Sequence, residues 1–185
     1  MITVSFGNYE AYCQADGMPS PEVLAEFEQR AALTERLGME FRGADGFCAV
    51  RRRGNEWPFL VVTQRYAPAG ESGFHLGLVV VPETHRLFLG AGCRLLAYDL
   101  SAPARLWQAE TKGYWSWGRY GGVVLMAGEQ ELAAWDIRGG KLWSRVVEPP
   151  WDYTVDGEVI RVDVKGAVCP IALWSGQEAE PECRS

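Results

Sequence analysis

The feature that most constrains the fold is a phrase that the sequence contains twice. LAYDLSAPARLW runs from Leu96 to Trp107, and LAAWDIRGGKLW runs from Leu132 to Trp143. The two phrases lie about 36 to 37 residues apart, which is the length of one supersecondary unit in repeat architectures. The chain is therefore expected to build part of its fold from one recurring unit.

The correspondence continues beyond the two phrases. Residues that match at the same spacing are Trp115 with Trp151, Trp117 with Tyr153, Gly121 with Gly157, and Val123 to Met126 with Val159 to Val162. EVIRVDVKG begins a third copy. Short apolar runs bounded by glycine or proline alternate throughout, and this pattern predicts antiparallel strands in a β-meander.

The aspartates and tryptophans of the repeat are predicted to be structural turn residues: Asp99, Asp136, Trp107 and Trp143. In the second copy, Gly139 and Gly140 suit a hairpin turn because glycine adopts positive φ without a steric cost. A two-residue loop would place Asp136 opposite Trp143, where the carboxylate could accept from the indole N–H or from turn amides. In the first copy SAPA makes the turn one residue longer, and Pro103 fixes a φ angle there.

These residues carry a resemblance to a known family. LFLGAGCRLLAYDLSAPARLW and VLMAGEQELAAWDIRGGKLW resemble the repeats of PQQ-type, quinoprotein-like β-propellers over roughly Arg86–Val164. The resemblance implies blade-like, four-stranded sheets. Quinone-dependent dehydrogenases of that kind use many blades around a central cofactor, whereas two copies and a fraction are visible here. A sheet structure without a cofactor is therefore expected.

The N-terminal half is expected to contain one helix and several strands. Ser20 can cap a helix whose first residue is Pro21, apolar residues follow at helical spacing, and Gly38 supplies a stop, so the helix is predicted over Ser20 to Leu37. Such a helix disfavours further blades in this half. Strands are predicted at Ile2–Phe6, Phe47–Arg53, Pro58–Tyr66, His75–Val81 and Arg86–Leu89.

A mainly β single domain with one N-terminal helix is the predicted fold. The domain is expected to span residues 1–174, with residues 1–84 forming the helix and strands and residues 85–164 forming two repeats and the start of a third. Residues 175–185 are low in hydrophobicity and are predicted to be a flexible acidic tail.

Composition excludes some function classes. The net charge of −6 argues against nucleic-acid and anionic-membrane binding, since phosphates require clustered cations. The one dense basic run, RRRGNEW, is equally well explained by an exposed strand and turn. No apolar run reaches the length of a signal peptide or a membrane span. Five cysteines without a CxxC pair suggest reduced thiols in a cytoplasmic protein.

The sequence offers little that is typical of catalysis. His75 and His85 stand outside HExxH and other metal-binding spacings, no GxSxG or GxxxxGK[ST] occurs, and GAG at Gly90 to Gly92 lacks the rest of a dinucleotide fingerprint. A zinc site from Cys48, His75, His85 and Cys93 remains an open alternative. No metal, no cofactor and no enzymatic activity are predicted.

The segment richest in aromatic and acidic residues is the candidate binding site. YWSWGRY and EPPWDY supply its predicted residues, which are Tyr114, Trp115, Trp117, Glu148, Trp151, Asp152 and Tyr153. Strand alternation predicts Trp115 and Trp117 on one face and Trp151 and Tyr153 on another common face. Trp115 and Trp151 hold equivalent repeat positions and are expected to project similarly from neighbouring sheets.

Three interpretations of this cluster remain open. The rings could simply be core between strands. They could anchor another protein, because a tryptophan or tyrosine buries a large area at a small entropic cost. They could also stack sugars, with Glu148 and Asp152 or Asp156 as the acid and base of a carbohydrate-active hydrolase. The leading hypothesis is a non-enzymatic cytoplasmic binding protein that recognises another protein, for which an immunity-type toxin neutraliser is the specific suggestion.

Overall fold

A computed structural model describes residues 2–15, 17–40, 42–66 and 76–179, which form sixteen strands and one helix. The strands belong to four sheets that follow one another along the chain, and most strand pairs are antiparallel. The predicted fold class, mainly β with blade-like sheets and one N-terminal helix, is confirmed.

The first sheet contains five strands and lies next to the helix in the sequence. Its elements are β1 (Ile2–Phe6), β2 (Tyr9–Ala15), α1 (Pro21–Arg30), β3 (Leu33–Leu37), β4 (Ala44–Arg52) and β5 (Leu60–Tyr66). The spatial order is β1-β2-β4-β5-β3, and β3 pairs with β5 in parallel. The helix occupies the connection between β2 and β3, so this sheet departs from a simple meander.

The second, third and fourth sheets are consecutive meanders. The second consists of β6 (Gly77–Val81), β7 (Arg86–Ala91), β8 (Arg94–Asp99) and β9 (Ala104–Glu110). The third consists of β10 (Tyr114–Tyr120), β11 (Val123–Gly128), β12 (Glu131–Asp136) and β13 (Lys141–Val146). The fourth has three strands, β14 (Trp151–Asp156), β15 (Val159–Val164) and β16 (Ala167–Ala172).

The core lies between successive sheets. Along β7, Leu87 and Leu89 pack against the first sheet, whereas Phe88 packs against the third. Along β11, Val124 and Met126 face the second sheet, and their neighbours in sequence face the fourth. Because both faces of these strands are covered, they read as continuous apolar runs instead of alternating ones.

The two ends of this row of sheets are covered differently. At the N-terminal end, α1 lays Leu24 and Phe27 over the outer face of the first sheet, where Phe47 and Val61 are fully buried. At the other end, the outer face of the fourth sheet carries exposed side chains, among them Asp152, Thr154, Asp156, Arg161 and Asp163. Among the described residues, neither outer face is a continuous apolar surface open to a further sheet.

The helix is shorter than predicted. Ser20 caps it through its hydroxyl, which accepts from the Val23 N–H, and Pro21 is its first residue, as expected. The helix ends at Arg30, and Leu33–Leu37 forms the parallel strand β3, so the prediction of a helix to Leu37 was wrong. Leu33 and Leu37 lie four residues apart, and this spacing puts both on one face of a helix or of a strand.

The repeat units begin earlier than predicted. The second sheet starts at Gly77, so the first complete unit includes β6, a strand that lies before the predicted start of the repeats at residue 85. The unit at the C-terminal end also extends further than expected. Beyond β16, Ala172 donates its N–H to the Gln177 carbonyl and Ala179 donates to the Pro170 carbonyl. The first part of the predicted tail is therefore paired with β16, and residues 180–185 lie outside the described part of the chain.

Candidate functional site

Two of the predicted binding residues are not at the surface. Tyr114 is 1% exposed and Trp151 is 7% exposed. Tyr114 stands over Gly77 and Gly90, where any side chain would collide with its ring. The indole N–H of Trp151 donates to the Glu129 carbonyl at 3.0 Å. These two rings join neighbouring sheets, and their proposed place on a binding surface is corrected accordingly.

Trp115 and Trp117 lie on opposite faces of β10, contrary to prediction. The register of β10 against β11 shifts between Tyr114 and Ser116, which is the signature of a β-bulge at Trp115. Trp117 therefore joins Tyr114 in the core between the second and third sheets. Trp115 faces the fourth sheet and stacks on Trp151 with ring centroids 5.4 Å apart, so these two rings face each other instead of projecting similarly.

Tyr153 agrees with its predicted orientation and is partly buried. It packs in the same cluster as Trp151, and the two ring centroids are 6.1 Å apart. Burial is the main cause that raises the pKa of its hydroxyl, and a hydrogen bond with Tyr120 raises it further. Tyr153 therefore stays neutral and serves packing between the third and fourth sheets.

The carboxylates of the hydrolase hypothesis lie on different surfaces. Glu148 is at the rim of an apolar cavity between the third and fourth sheets. Asp152 is on the outer face of the fourth sheet, in a shallow depression with Arg161 and Asp163. Asp156 is at the end of β14, 4.0 Å from the Arg161 guanidinium. The geometry does not bring Glu148 and Asp152 into the common pocket that an acid–base pair requires.

The turn aspartates bind their own turns, as predicted. Asp136 accepts from the Arg138 and Gly140 amides at 2.7 and 2.9 Å. Asp99 accepts from Ser101 and Ala102 amides and forms an ion pair with Arg86. Burial favours the neutral form of Asp99, but these hydrogen bonds and Arg86 outweigh it and lower the pKa.

The tryptophans of the repeat have a different partner from the one expected. Trp143 lies opposite Ala134, not Asp136, because the turn is longer than two residues and Trp135 already pairs with Lys141. Its indole N–H donates to the Leu173 carbonyl in the next sheet at 2.9 Å. Trp107 donates in the same way to the Gly139 carbonyl at 2.7 Å. Both rings are structural, and they act between units.

No sequence pattern indicated the cavity between the third and fourth sheets, which we call the edge groove. Its volume is about 260 Å³, and its walls are apolar side chains of Leu132, Val147, Val162, Val164, Cys169 and Ile171. Arg145, Val146 and Glu148 stand at its rim. Val146 is 83% exposed, and Glu148 forms no ion pair with any residue that the structure describes.

The edge groove lies beside a strand whose outer edge is only half paired. The Ala172 N–H donates to Gln177, and the Pro170 carbonyl accepts from Ala179. Even-numbered residues of β16 therefore direct their backbone groups to the edge that faces away from β15. Val168 has the same parity, so its N–H and carbonyl also point to that edge. Within residues 2–66 and 76–179, apart from the gaps at 16 and 41, no strand pairs there with Val168. Its side chain is 56% exposed.

No metal-binding group is evident in the described part of the chain, where no three His, Cys, Asp or Glu side chains are placed to hold an ion. Of the four residues of the alternative zinc site, Cys48 is buried beside Cys13, Cys93 is exposed in a turn, and His85 contacts Tyr9. His75 lies outside the described residues. No described helix is long and apolar enough to cross a membrane.

Comparisons with known proteins add only distant likenesses. No protein-family model and no curated protein match the sequence. BamB from Moraxella catarrhalis is 19% identical over 82% of this chain and 50% of its own, with a TM-score of 0.48. Hsv2 from Kluyveromyces lactis is 10% identical over 57% and 35%, with a TM-score of 0.35. The N-terminal domain of Nup159 is 12% identical over 56% and 32%, with a TM-score of 0.39.

These neighbours are β-propeller proteins. The chain spans between about a third and a half of the length of each of the three structures. The blade-like character of the second, third and fourth sheets therefore rests on the strand order and register of the chain itself.

Proposed function

We propose that this chain is a non-enzymatic protein-binding module that captures an extended segment of its partner at the outer edge of β16. The half-paired edge beside the edge groove carries this proposal. A strand that presents an unpaired N–H and carbonyl is a template for strand addition, and recognition domains use such edges to bind peptides. Val168 supplies both backbone groups, and Gln177 and Ala179 already show that the adjacent half of β16 accepts a strand.

The edge groove would select the side chains of the partner. In an added strand, alternate side chains project to one face, where the apolar walls around Cys169 and Val164 offer space for a residue of leucine or valine size. Glu148 and the net charge of −6 favour a partner with a lysine or arginine close to that apolar residue. The proposed ligand is thus a basic, apolar segment in an extended conformation.

The competing hypothesis is a carbohydrate-active hydrolase or a sugar-binding module. It needs two carboxylates that flank one bond, and Glu148 and Asp152 lie on separate surfaces. The absence of enzymatic activity and the cytoplasmic location are part of the proposal. So is the finer assignment of the repeats to the PQQ type, which rests on the two phrases quoted above.

The test begins with selection of peptides from a random display library on the full chain. Binders should be enriched in alternating apolar residues with a neighbouring lysine or arginine. Affinity is then measured by fluorescence anisotropy for Val168→Pro, which removes the outward N–H, and for Val168→Thr, which retains it in a side chain of similar shape. We expect Val168→Pro to weaken binding about tenfold or more and Val168→Thr to have little effect.

Val146→Asp tests the rim of the edge groove without changing β16. It should weaken binding, whereas Leu106→Asp, at a residue of the second sheet that is 42% exposed, should not. The proposal fails if selected peptides bind Val168→Pro and Val146→Asp as tightly as the unmodified chain. It also fails if the full chain binds no peptide but a variant without residues 180–185 does. In that case residues 180–185, and not a partner, would be the natural occupant of the β16 edge.

The narrower hypothesis identifies the partner as a bacterial toxin or effector that this chain neutralises. It is motivated by the small size and acidic composition of the chain. Co-expression with toxins from the same genome is the direct measurement. Loss of growth protection in Val168→Pro would support the hypothesis, and protection that is independent of Val168 and Val146 would contradict the proposed surface.

A further inference from the structure

A second cavity, far along the sequence from the edge groove, lies between the first and second sheets. Its volume is about 340 Å³, and it is lined by Arg42, Arg65, Tyr66, Cys93, Arg94 and Glu110. These residues define the arginine cleft. Three guanidinium groups face one cavity in a chain with a net charge of −6, and ordinary surface composition does not account for this concentration of positive charge.

Arg65 and Arg94 differ in how their charges are satisfied. Arg65 donates to both carboxylate oxygens of Asp45, at 2.7 and 3.4 Å, so its charge is balanced within the first sheet. Arg94 faces Glu110 across β8 and β9, but it forms no ion pair within the part of the chain that the structure describes. Its Nη1 atom is buried and has no hydrogen-bond partner among the residues that the structure describes.

The fold holds Arg94 in this position. Gly38 has φ +69° and leaves space for the guanidinium, since a Cβ there would lie 3.2 Å from Nη1 and 2.3 Å from the Arg65 carbonyl. The turn that contains Cys93 is also fixed, because its carbonyl accepts from the Thr111 N–H and that of Gly92 accepts from Tyr114. The walls of the cleft are therefore held in place by contacts within the protein.

A buried guanidinium nitrogen without an acceptor is energetically costly, and an incoming oxyanion would relieve that cost. Guanidinium groups match carboxylate and phosphate oxygens in planar, paired hydrogen bonds. We propose that the arginine cleft binds a small anion that carries a carboxylate or a phosphate group. Arg94 and Arg42 contact the oxyanion, and Glu110 lines the same cavity on the strand next to Arg94.

Cys93 reports on occupancy because its exposed thiol lines the cleft. The full chain is alkylated with iodoacetamide, a neutral reagent, at constant ionic strength with increasing inorganic phosphate or acetate. Site-resolved mass spectrometry measures the rate at each cysteine. We expect the anion to slow alkylation of Cys93 and to leave Cys169, in the edge groove, unchanged. Protection by phosphate alone or by acetate alone identifies the preferred group.

Arg94→Gln removes the charge and keeps most of the side-chain volume. It should lower the affinity for the protecting anion about tenfold or more. Arg138→Gln, at an exposed turn, should leave that affinity unchanged. The anion should also raise the Tm of the unmodified chain but not that of Arg94→Gln. If Arg94→Gln does not fold, Arg42→Gln, at an exposed residue, gives the same comparison.

Two results overturn this assignment. One is unchanged alkylation of Cys93 at saturating phosphate and at saturating acetate. The other is wild-type affinity in the folded Arg94→Gln or Arg42→Gln variant. Both results are independent of the peptide-binding measurements, because Arg42, Cys93 and Arg94 do not line the edge groove.

Discussion

At the scale of single residues, the recurring tryptophans Trp107 and Trp143 join the second sheet to the third and the third sheet to the fourth. Trp107 and Trp143 both lie on the outermost strand of their sheets, and each indole N–H reaches a turn carbonyl of the following sheet. Gly176 makes the second contact possible, because a Cβ there would lie 2.5 Å from the Trp143 ring. The repetition in the sequence thus preserves a contact between units.

Replacing Trp143 by phenylalanine tests this role. Trp143→Phe retains an aromatic ring but loses the donor to Leu173, and we expect the free energy of unfolding to fall by about 1 to 3 kcal/mol. Urea denaturation followed by circular dichroism measures the change. Trp174→Phe is the control, because Trp174 is 48% exposed, and it should shift stability by less than about 0.5 kcal/mol. Equal effects of the two variants would contradict the fastening role.

At the scale of elements, the strands of the middle sheets and the strands at the ends obey different rules. β11 and β12 are buried on both faces, because sheets lie on either side of them. β14 and β15 alternate between buried and exposed residues, since only one face meets another sheet. The helix α1 serves the first sheet in place of a neighbouring blade: its Phe27 stacks on the fully buried Phe47, with centroids 6.2 Å apart.

The covering role of α1 predicts an asymmetric response to alanine substitutions in the helix. Phe27→Ala should lower the free energy of unfolding by about 2 to 3 kcal/mol, because it uncovers Phe47 and leaves a partial cavity. Val23→Ala, at an exposed position of the same helix, should be nearly neutral, since alanine also has the higher helix propensity. Thermal unfolding of both variants measures the difference. Similar losses in both would show that α1 does not protect the core of the sheet.

At the scale of the whole molecule, the described chain is an open row of four sheets. A closed ring would require the first and fourth sheets to present apolar outer faces to further blades. Instead, α1 covers one outer face, and charged side chains such as Arg161 and Asp163 cover the other. In stacked repeat architectures, the terminal units carry polar outer faces, and these faces do not pack against a further unit.

This termination can be removed by design. The combined substitutions Thr154→Val, Arg161→Val and Asp163→Val would give the fourth sheet an apolar outer face, and we expect the chain to self-associate more than the unmodified protein does. Sedimentation velocity measures the change. The matched control, Thr154→Ser, Arg161→Gln and Asp163→Asn, should sediment as the unmodified protein. If the valine variant does the same, the polar face is not what ends the row.

The sequence by itself determined the local parts of this structure. The two phrases placed the hairpins, and Asp99 and Asp136 were correctly predicted to hold their own turns. Ser20 and Pro21 fixed the start of the helix. Each of these features depends on hydrogen bonds or dihedral preferences within a few residues, which a single stretch of sequence contains.

The tertiary structure alone decided which face each side chain occupies and what surrounds it. A bulge at Trp115 reversed the orientation expected for Trp117, and Leu33–Leu37 became a strand because β5 offered a parallel partner. The edge groove and the arginine cleft each collect residues from several strands that are distant in sequence. Their composition depends on how neighbouring sheets pack, and no spacing rule along the chain encodes that packing.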